Sequence, residues 1–204
     1  MAKKPKPVRD RIIDAALDLA SEKRWRDIGL ADIADHAGVS LSQLHGEFRS
    51  RASIVAEIMH RTDDVVIAGG DPSVIDEPAR DRVLDALLRR LEALAPAKRA
   101  IGSILRDLPT DPLAVLCLAP KFHRSMVWTL ESAGIGTSGI AGHLRVKGVS
   151  AIYAAAFCVW QRDDSADQAK TMAFLDRRLQ QAESLAALMP FGIVERSEAS
   201  SQNA

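Results

Sequence analysis

Ser42, Gln43 and His45 form a short polar group whose side chains can donate and accept hydrogen bonds. A glutamine carboxamide carries donor and acceptor side by side, the pairing that an adenine edge takes. No comparable grouping suits catalysis. The histidines (His36, His45, His60, His123, His143) are scattered, with no His-Glu-x-x-His pattern and no cysteine pair to hold a metal. No Gly-x-Ser-x-Gly elbow is present. The run Gly134-Ile135-Gly136-Thr137-Ser138-Gly139 lacks the Lys-Ser/Thr ending of a phosphate loop and follows no strand, so it reads as a link between helices. The chain is expected to be no enzyme, and to use no cofactor and no metal.

The elements that must hold Gln43 and His45 are two short helices. Ile33, Ala34 and Ala37 form an apolar patch at helical spacing, and so do Leu41, Leu44 and Phe48. Between them Gly38 can take the positive φ that ends the first helix, and Ser40 can cap the second. Patches this short need a neighbouring helix to pack on. The result is a helix-turn-helix whose second member has the size to enter a DNA major groove.

Residues 9–60 resemble the N-terminal domain of the tetracycline-repressor (TetR) family of transcriptional regulators. The likeness begins at the amphipathic helix with Ile13, Ala16, Leu17 and Ala20. It continues through Gly29-Leu30-Ala31-Asp32-Ile33-Ala34 and Ala37-Gly38-Val39-Ser40, and ends with Leu44, Phe48, Ser50-Arg51 and Ile54. It implies DNA contacts from Leu30, Ser40, Leu41, Ser42, Gln43, His45, Arg49 and Arg51. Several of these depart from the family pattern. Leu41 stands where Lys or Arg is usual, Ser42 where Gly is common, and His45 where an aromatic touches phosphate. Gly46 and Glu47 follow, and Glu47 would repel phosphate.

Charge is evenly balanced, 27 Lys and Arg against 27 Asp and Glu. Positive charge gathers only at the start, in Lys3, Lys4, Lys6, Arg9 and Arg11, so residues 1–7 are expected to be a mobile basic arm reaching phosphate. Hydrophobic residues make up 47% and aromatics 4%, which favours helices packed through small side chains over sheets. Cys117 and Cys158 lie in apolar helical stretches and are expected to be buried thiols. The longest apolar run, Ala151–Trp160, is half of what a membrane span needs. No signal-peptide core follows the basic start. A cytoplasmic protein is expected.

The fold class read from this pattern is all-α, with a three-helix N-terminal helix-turn-helix domain, a larger C-terminal bundle, and about nine helices in all. The expected division is residues 1–68 for DNA, with a linking helix over 50–68, then 69–190 for ligand and dimerisation, and a frayed tail over 191–204. Pro120 is expected to kink or split the stretch Leu113–Ala133. Asp163-Asp164-Ser165 is expected to start the last helix, which Pro190 closes. Leu87, Leu91, Ile104, Leu108 and Leu116, with Met126, Trp128, Leu130, Tyr153 and Phe157, are candidates to converge between the helices. The resemblance implies that such residues line a site for an apolar effector. Scarce charge there favours a lipid-like or aromatic compound over a sugar or phosphate ester.

The last two helices carry more apolar surface than one core needs. That surface and the resemblance both imply a homodimer. Its contacts are expected from Leu144, Gly148, Ile152 and Ala156 on one helix and Met172, Leu175, Leu179, Ala182 and Ala186 on the other. Twofold symmetry would then present two reading helices to a palindromic operator, about one DNA turn apart. Asp163-Asp164-Ser165 followed by Thr171-x-Ala173-Phe174-Leu175-Asp176-Arg177-Arg178-Leu179 also resembles the lipid-binding accessory proteins of ubiquinone biosynthesis, which share the TetR fold without acting as repressors. The alternative reading is therefore a lipid- or quinone-binding protein without DNA affinity.

Overall fold

The structure, a computed structural model, describes residues 6–70, 76–165 and 167–188. Every regular element among them is helical: α1 (Val8–Glu22), α2 (Leu30–Ala37), α3 (Leu41–Glu47), α4 (Arg51–Ala68), α5 (Ala79–Leu94), α6 (Lys98–Asp107), α7 (Pro112–Ser132), α8 (Gly139–Trp160) and α9 (Ala169–Leu188). Short 3₁₀ turns at Trp25–Asp27, Ala95–Ala97 and Leu108–Thr110 join α1 to α2, α5 to α6 and α6 to α7.

α1 holds the first part together. Its buried face (Ile12, Ile13, Ala16, Leu19, Ala20) packs on α2 and α3, and α6 packs against α1 as well. Gly38 adopts φ 63° and ends α2, as the sequence requires, and the Val39 N–H reaches back to the Ala34 carbonyl. Leu44 and Phe48 anchor α3 from below, each fully buried. α4 then packs along α7 and α5, and α8 packs on α9 and α7. Among the described residues the buried apolar side chains from Ile12 to Leu179, Leu118 excepted, form one continuous cluster.

Several expectations need correction. Pro120 does not split the stretch: α7 is one helix from Pro112 to Ser132. The carbonyl that loses its amide partner there belongs to Leu116, which is exposed, so water can satisfy it. Both cysteines are exposed, because Cys117 and Cys158 lie on the outward sides of α7 and α8. Asp163 does not begin α9, which starts at Ala169. Instead Asp163 reaches across, its Oδ2 accepting from the Thr171 N–H at 2.9 Å and the Thr171 hydroxyl at 2.7 Å. Its Oδ1 accepts from Ser165. The Ser165 and Thr171 donors hold the buried carboxyl well below the usual carboxylate range. Pro190 lies outside the described residues.

Candidate functional site

α3 stands outermost on its trio of helices because Leu44 and Phe48 take up its inner side. Leu41, Ser42, Gln43, His45, Gly46 and Glu47 are all exposed. Leu41, expected on the apolar patch with Leu44 and Phe48, is instead 55% exposed, at the first position of α3. Ser40 caps the helix: its hydroxyl accepts the Gln43 N–H at 3.1 Å, while the Gln43 Oε1 accepts the Ser40 N–H at 2.9 Å. That reciprocal bond ties up the acceptor a bidentate adenine contact would use. The Gln43 Nε2 donors and the His45 ring have no such partner among the described residues.

The basic residues are distributed differently from the expectation. Arg9 forks onto Glu57 (Nη2 to Oε2 2.5 Å, Nε to Oε1 3.1 Å), and its Nη1 donates to Glu47 at 3.3 Å. Its guanidinium also lies 4.7 Å from the centre of the Phe48 ring. The Arg9 fork holds the Glu57 carboxyl below the usual range. Glu47, whose charge would oppose phosphate, is thereby paired with a cation. Arg11 donates to the carbonyls of Ala37 (2.6 Å) and Gly38 (2.7 Å), a cation at the negative end of α2. Arg11 therefore serves the turn itself, and Arg9 ties α1 to α4 and to the end of α3. Lys6 pairs with Asp14 at 2.6 Å, and Lys3 and Lys4 lie outside the described residues.

Arg51 is half-buried, donating to the carbonyls of Trp25 (2.7 Å) and Ile28 (3.0 Å), which makes it a brace instead of a free phosphate ligand. Arg49 is exposed. With Arg26, Gly29, half-buried Leu30 and Ser50 it lines an open depression of about 440 Å³ where α2 and α4 begin. Behind it, α6 is fastened to the chain after α1. Asp107 accepts from Arg24 Nη2 (2.5 Å) and the Arg26 N–H (3.0 Å). Ser103 Oγ accepts the Trp25 N–H (3.0 Å) and donates to the Lys23 carbonyl (2.9 Å).

Of the residues expected to converge farther along, Leu87, Leu91, Ile104, Met126, Leu130, Tyr153 and Phe157 are buried, and Leu108 is half-buried. Leu116 (71% exposed) and Trp128 (50% exposed) point away, because each falls on the outer side of α7. What sequence reading missed among these helices is polar. Arg90 is buried on α5 and bonded to Asp63, Ser125 and Thr129. Arginine in an otherwise Leu-rich helix is usually solvated, so only a buried partner could have flagged it.

The expected pairing residues divide in two. Leu144, Gly148 and Met172 are exposed, and Ile152 and Ala182 half-buried. Ala156, Leu175 and Leu179 are instead buried in the chain's own core, where α8 meets α9. Ala186 lies outside the residues whose side chains are described. The exposed stripe of α8 adds Ile140, Ala151, Ala155 and Cys158, a spacing of threes and fours that the sequence already contained. Among the described residues no group of three His, Cys, Asp or Glu could hold a metal, and no helix is long and apolar enough to cross a membrane.

Comparison with known proteins agrees with this geometry. Residues 12–58 match the family model for bacterial regulatory proteins, tetR family, and residues 146–186 match the model for COQ9. No curated protein matches the chain. Among solved structures, a TetR transcriptional regulator from Nitrosomonas europaea ATCC 19718 is 24% identical, with 88% of this chain and 99% of that one covered and a TM-score of 0.71. One from Rhodococcus sp. RHA1 is 19% identical over 85% and 94%, with a TM-score of 0.64. A putative TetR-family regulator from Mesorhizobium loti is 14% identical over 87% and 96%, with a TM-score of 0.56. Residues 12–58 thus match the tetR family of bacterial regulatory proteins, in a chain whose fold is the one shared by TetR transcriptional regulators.

Proposed function

We propose that the chain is a DNA-binding transcriptional regulator, working in the cytoplasm as a homodimer whose operator affinity answers to a small molecule held among α5–α8. The observation that carries this reading is α3. A capped helix has its apolar residues Leu44 and Phe48 below, and above them the Gln43 Nε2 donors and the His45 ring, without a partner among the described residues. Arg49 and Arg26, flanking the starts of α4 and α2, supply phosphate contacts, and Lys3 and Lys4 add to them from the arm. Residues 1–68 hold DNA and residues 69–190 hold effector and partner. α4, packed on both α1 and α7, is the lever between them. Pairing uses the exposed stripe of α8 (Ile140, Leu144, Gly148, Ala151, Ala155) and Met172 of α9. Effector occupancy changes the spacing of the two reading helices, which a palindromic site tolerates poorly.

Gel shifts on the DNA upstream of its own gene, at low and high salt, test this reading. A shift that weakens steeply with salt and survives non-specific competitor supports it. Absence of any sequence-selective shift, there or on a random-sequence pool, removes it.

The COQ9 match over α8 and α9 favours a second reading, in which the larger helical part carries a lipid and no DNA is bound. Native mass spectrometry of the purified chain distinguishes the two through co-purifying lipid without DNA affinity.

A further inference from the structure

The larger helical part encloses a polar cluster joining four helices. Arg90 Nη1 on α5 donates to Asp63 Oδ1 on α4 (2.5 Å) and to Thr129 Oγ1 on α7 (3.2 Å). Its Nη2 donates to Ser125 Oγ (2.7 Å), and the Ser125 hydroxyl donates in turn to the same Asp63 oxygen (2.5 Å). One guanidinium and one carboxylate cancel. Two polar atoms are left over, both buried: the Nε–H of Arg90 and the hydroxyl of Tyr153 on α8, neither with a hydrogen-bond partner among the described residues. They are neighbours, for the Arg90 guanidinium carbon lies 5.5 Å from the centre of the Tyr153 ring. Buried polar groups in native folds are nearly always satisfied, so two orphans side by side ask for a partner from outside the chain.

The chemistry of that partner follows from the donors. Arg90 Nε can only donate. Burial pushes the Tyr153 hydroxyl up, so it too keeps its proton. A carbonyl oxygen, with two lone pairs, accepts from both. A carboxylate fits badly, because Asp63 already neutralises the guanidinium and a second buried anion would share one cation. A hydrocarbon would leave both donors unmade. The side chains around them are apolar. Phe122 stacks on Tyr153 at 6.2 Å and Phe157 meets it edge-on at 6.0 Å, while Leu87 and Met126 are fully buried on the same helices.

We propose that Arg90 and Tyr153 are the hydrogen-bonding end of a site for an uncharged, apolar molecule that bears a carbonyl oxygen, and that Asp63 couples its arrival to α4. This deepens the effector-regulated reading above and rests on it for the last step. The acceptor draws the guanidinium towards Tyr153 and weakens the tie to Asp63. α4, the helix that follows the reading helix, then loses its polar anchor to α5 and α7.

The test uses the full chain and three probes of one shape: 2-acetylnaphthalene, an uncharged ketone; 2-ethylnaphthalene, without an acceptor; and 2-naphthoate, an anion. Calorimetry should show the ketone binding about tenfold or more tighter than either of the others. Tyr153→Phe removes one oxygen and keeps the ring, and should shrink that advantage about fivefold, the worth of one hydrogen bond. Asp63→Asn leaves the guanidinium uncompensated and should turn the preference towards 2-naphthoate. Failure of the ketone to bind, equal binding of all three, or a Tyr153→Phe chain that keeps the full preference would each overturn the assignment. If Asp63→Asn does not fold, the Tyr153→Phe comparison decides alone. The DNA shift of the probe-free chain is scored separately. Its absence removes the regulator reading and the α4 step, whereas a lost ketone preference removes only the Arg90–Tyr153 assignment.

Discussion

The carboxamide oxygen of Gln43 is bonded to the backbone N–H of Ser40 at 2.9 Å, and the Ser40 hydroxyl to the N–H of Gln43 at 3.1 Å. The residue best suited to read a base therefore also closes the N-terminus of the helix that would carry it. On this geometry Gln43 reads through its Nε2 donors, one contact where a free carboxamide would make two. Gln43→Ala should cost about 1 kcal/mol of discrimination per half-site, at the low end for base contacts. Gln43→Glu keeps the capping oxygen, removes the donor and adds a charge that phosphate repels, so it should bind more weakly than Gln43→Ala. Selection from a random-sequence pool with each variant checks this, and unchanged base preference in Gln43→Ala would end the assignment.

Arg9 and Glu57 tie α1 to α4 beneath the reading helix, with Glu47 and Phe48 against the same guanidinium. Glu57→Gln should lower stability by about 1 kcal/mol, as expected of a partly exposed fork. It should also free the Arg9 atoms that Glu57 now holds to reach phosphate. The measurable signature is a steeper salt dependence of DNA binding alongside a lower melting temperature. A variant that melts earlier but keeps the same salt slope would show Arg9 to be structural only.

Asp107 gives a pH dependence with a defined sign. The backbone N–H of Arg26, with the Arg24 guanidinium, holds its carboxyl below the usual range, while desolvation opposes them. A carboxyl whose folded pKa is depressed stabilises the fold fully above its unfolded pKa, about 3.9. That contribution is lost as the pH falls from there towards the lower folded value. Acid unfolding of Asp107→Asn should therefore lie closer to wild type at low pH than near neutrality. A stability gap that is constant across that range would contradict the assignment.

Two glycines of α8 should behave oppositely. A Cβ at Gly142 would overlap the backbone of Thr137, whereas one at Gly148 meets nothing within 4 Å. Gly142→Ala should destabilise the chain by about 1–3 kcal/mol, as overpacking does. Gly148→Leu should leave the fold of one chain intact and block close approach of a second copy. Light scattering of Gly148→Leu should report a smaller particle than wild type, with an unchanged circular dichroism spectrum. An unchanged particle size would move the pairing surface elsewhere.

Leu44 is 1% exposed and holds α3 to its neighbours. Leu44→Ala should cost about 2–5 kcal/mol. DNA binding should fall with it even though Leu44 touches no base. Urea unfolding measures the first and gel shift the second.

The order of helices, the turn at Gly38, the cap at Ser40 and the outward side of α3 were all legible in the sequence. Each depends on residues within one or two helical turns of one another, and local sterics and hydrophobic period fix them. Tertiary structure alone decided where charged side chains went. Arg9, Arg11 and Arg51 read as candidate phosphate ligands or as a basic arm, yet Glu57, the end of α2 and the Trp25–Ile28 carbonyls claim them. Arg90 is held inside by Asp63 and Ser125, which arrive from α4 and α7. The division of Leu144 from Leu175, one facing outward and one into the core, depended likewise on how α8 and α9 cross. A long cationic side chain reaches several ångströms, and its partner is chosen by proximity between elements far apart in the chain, which no local pattern records.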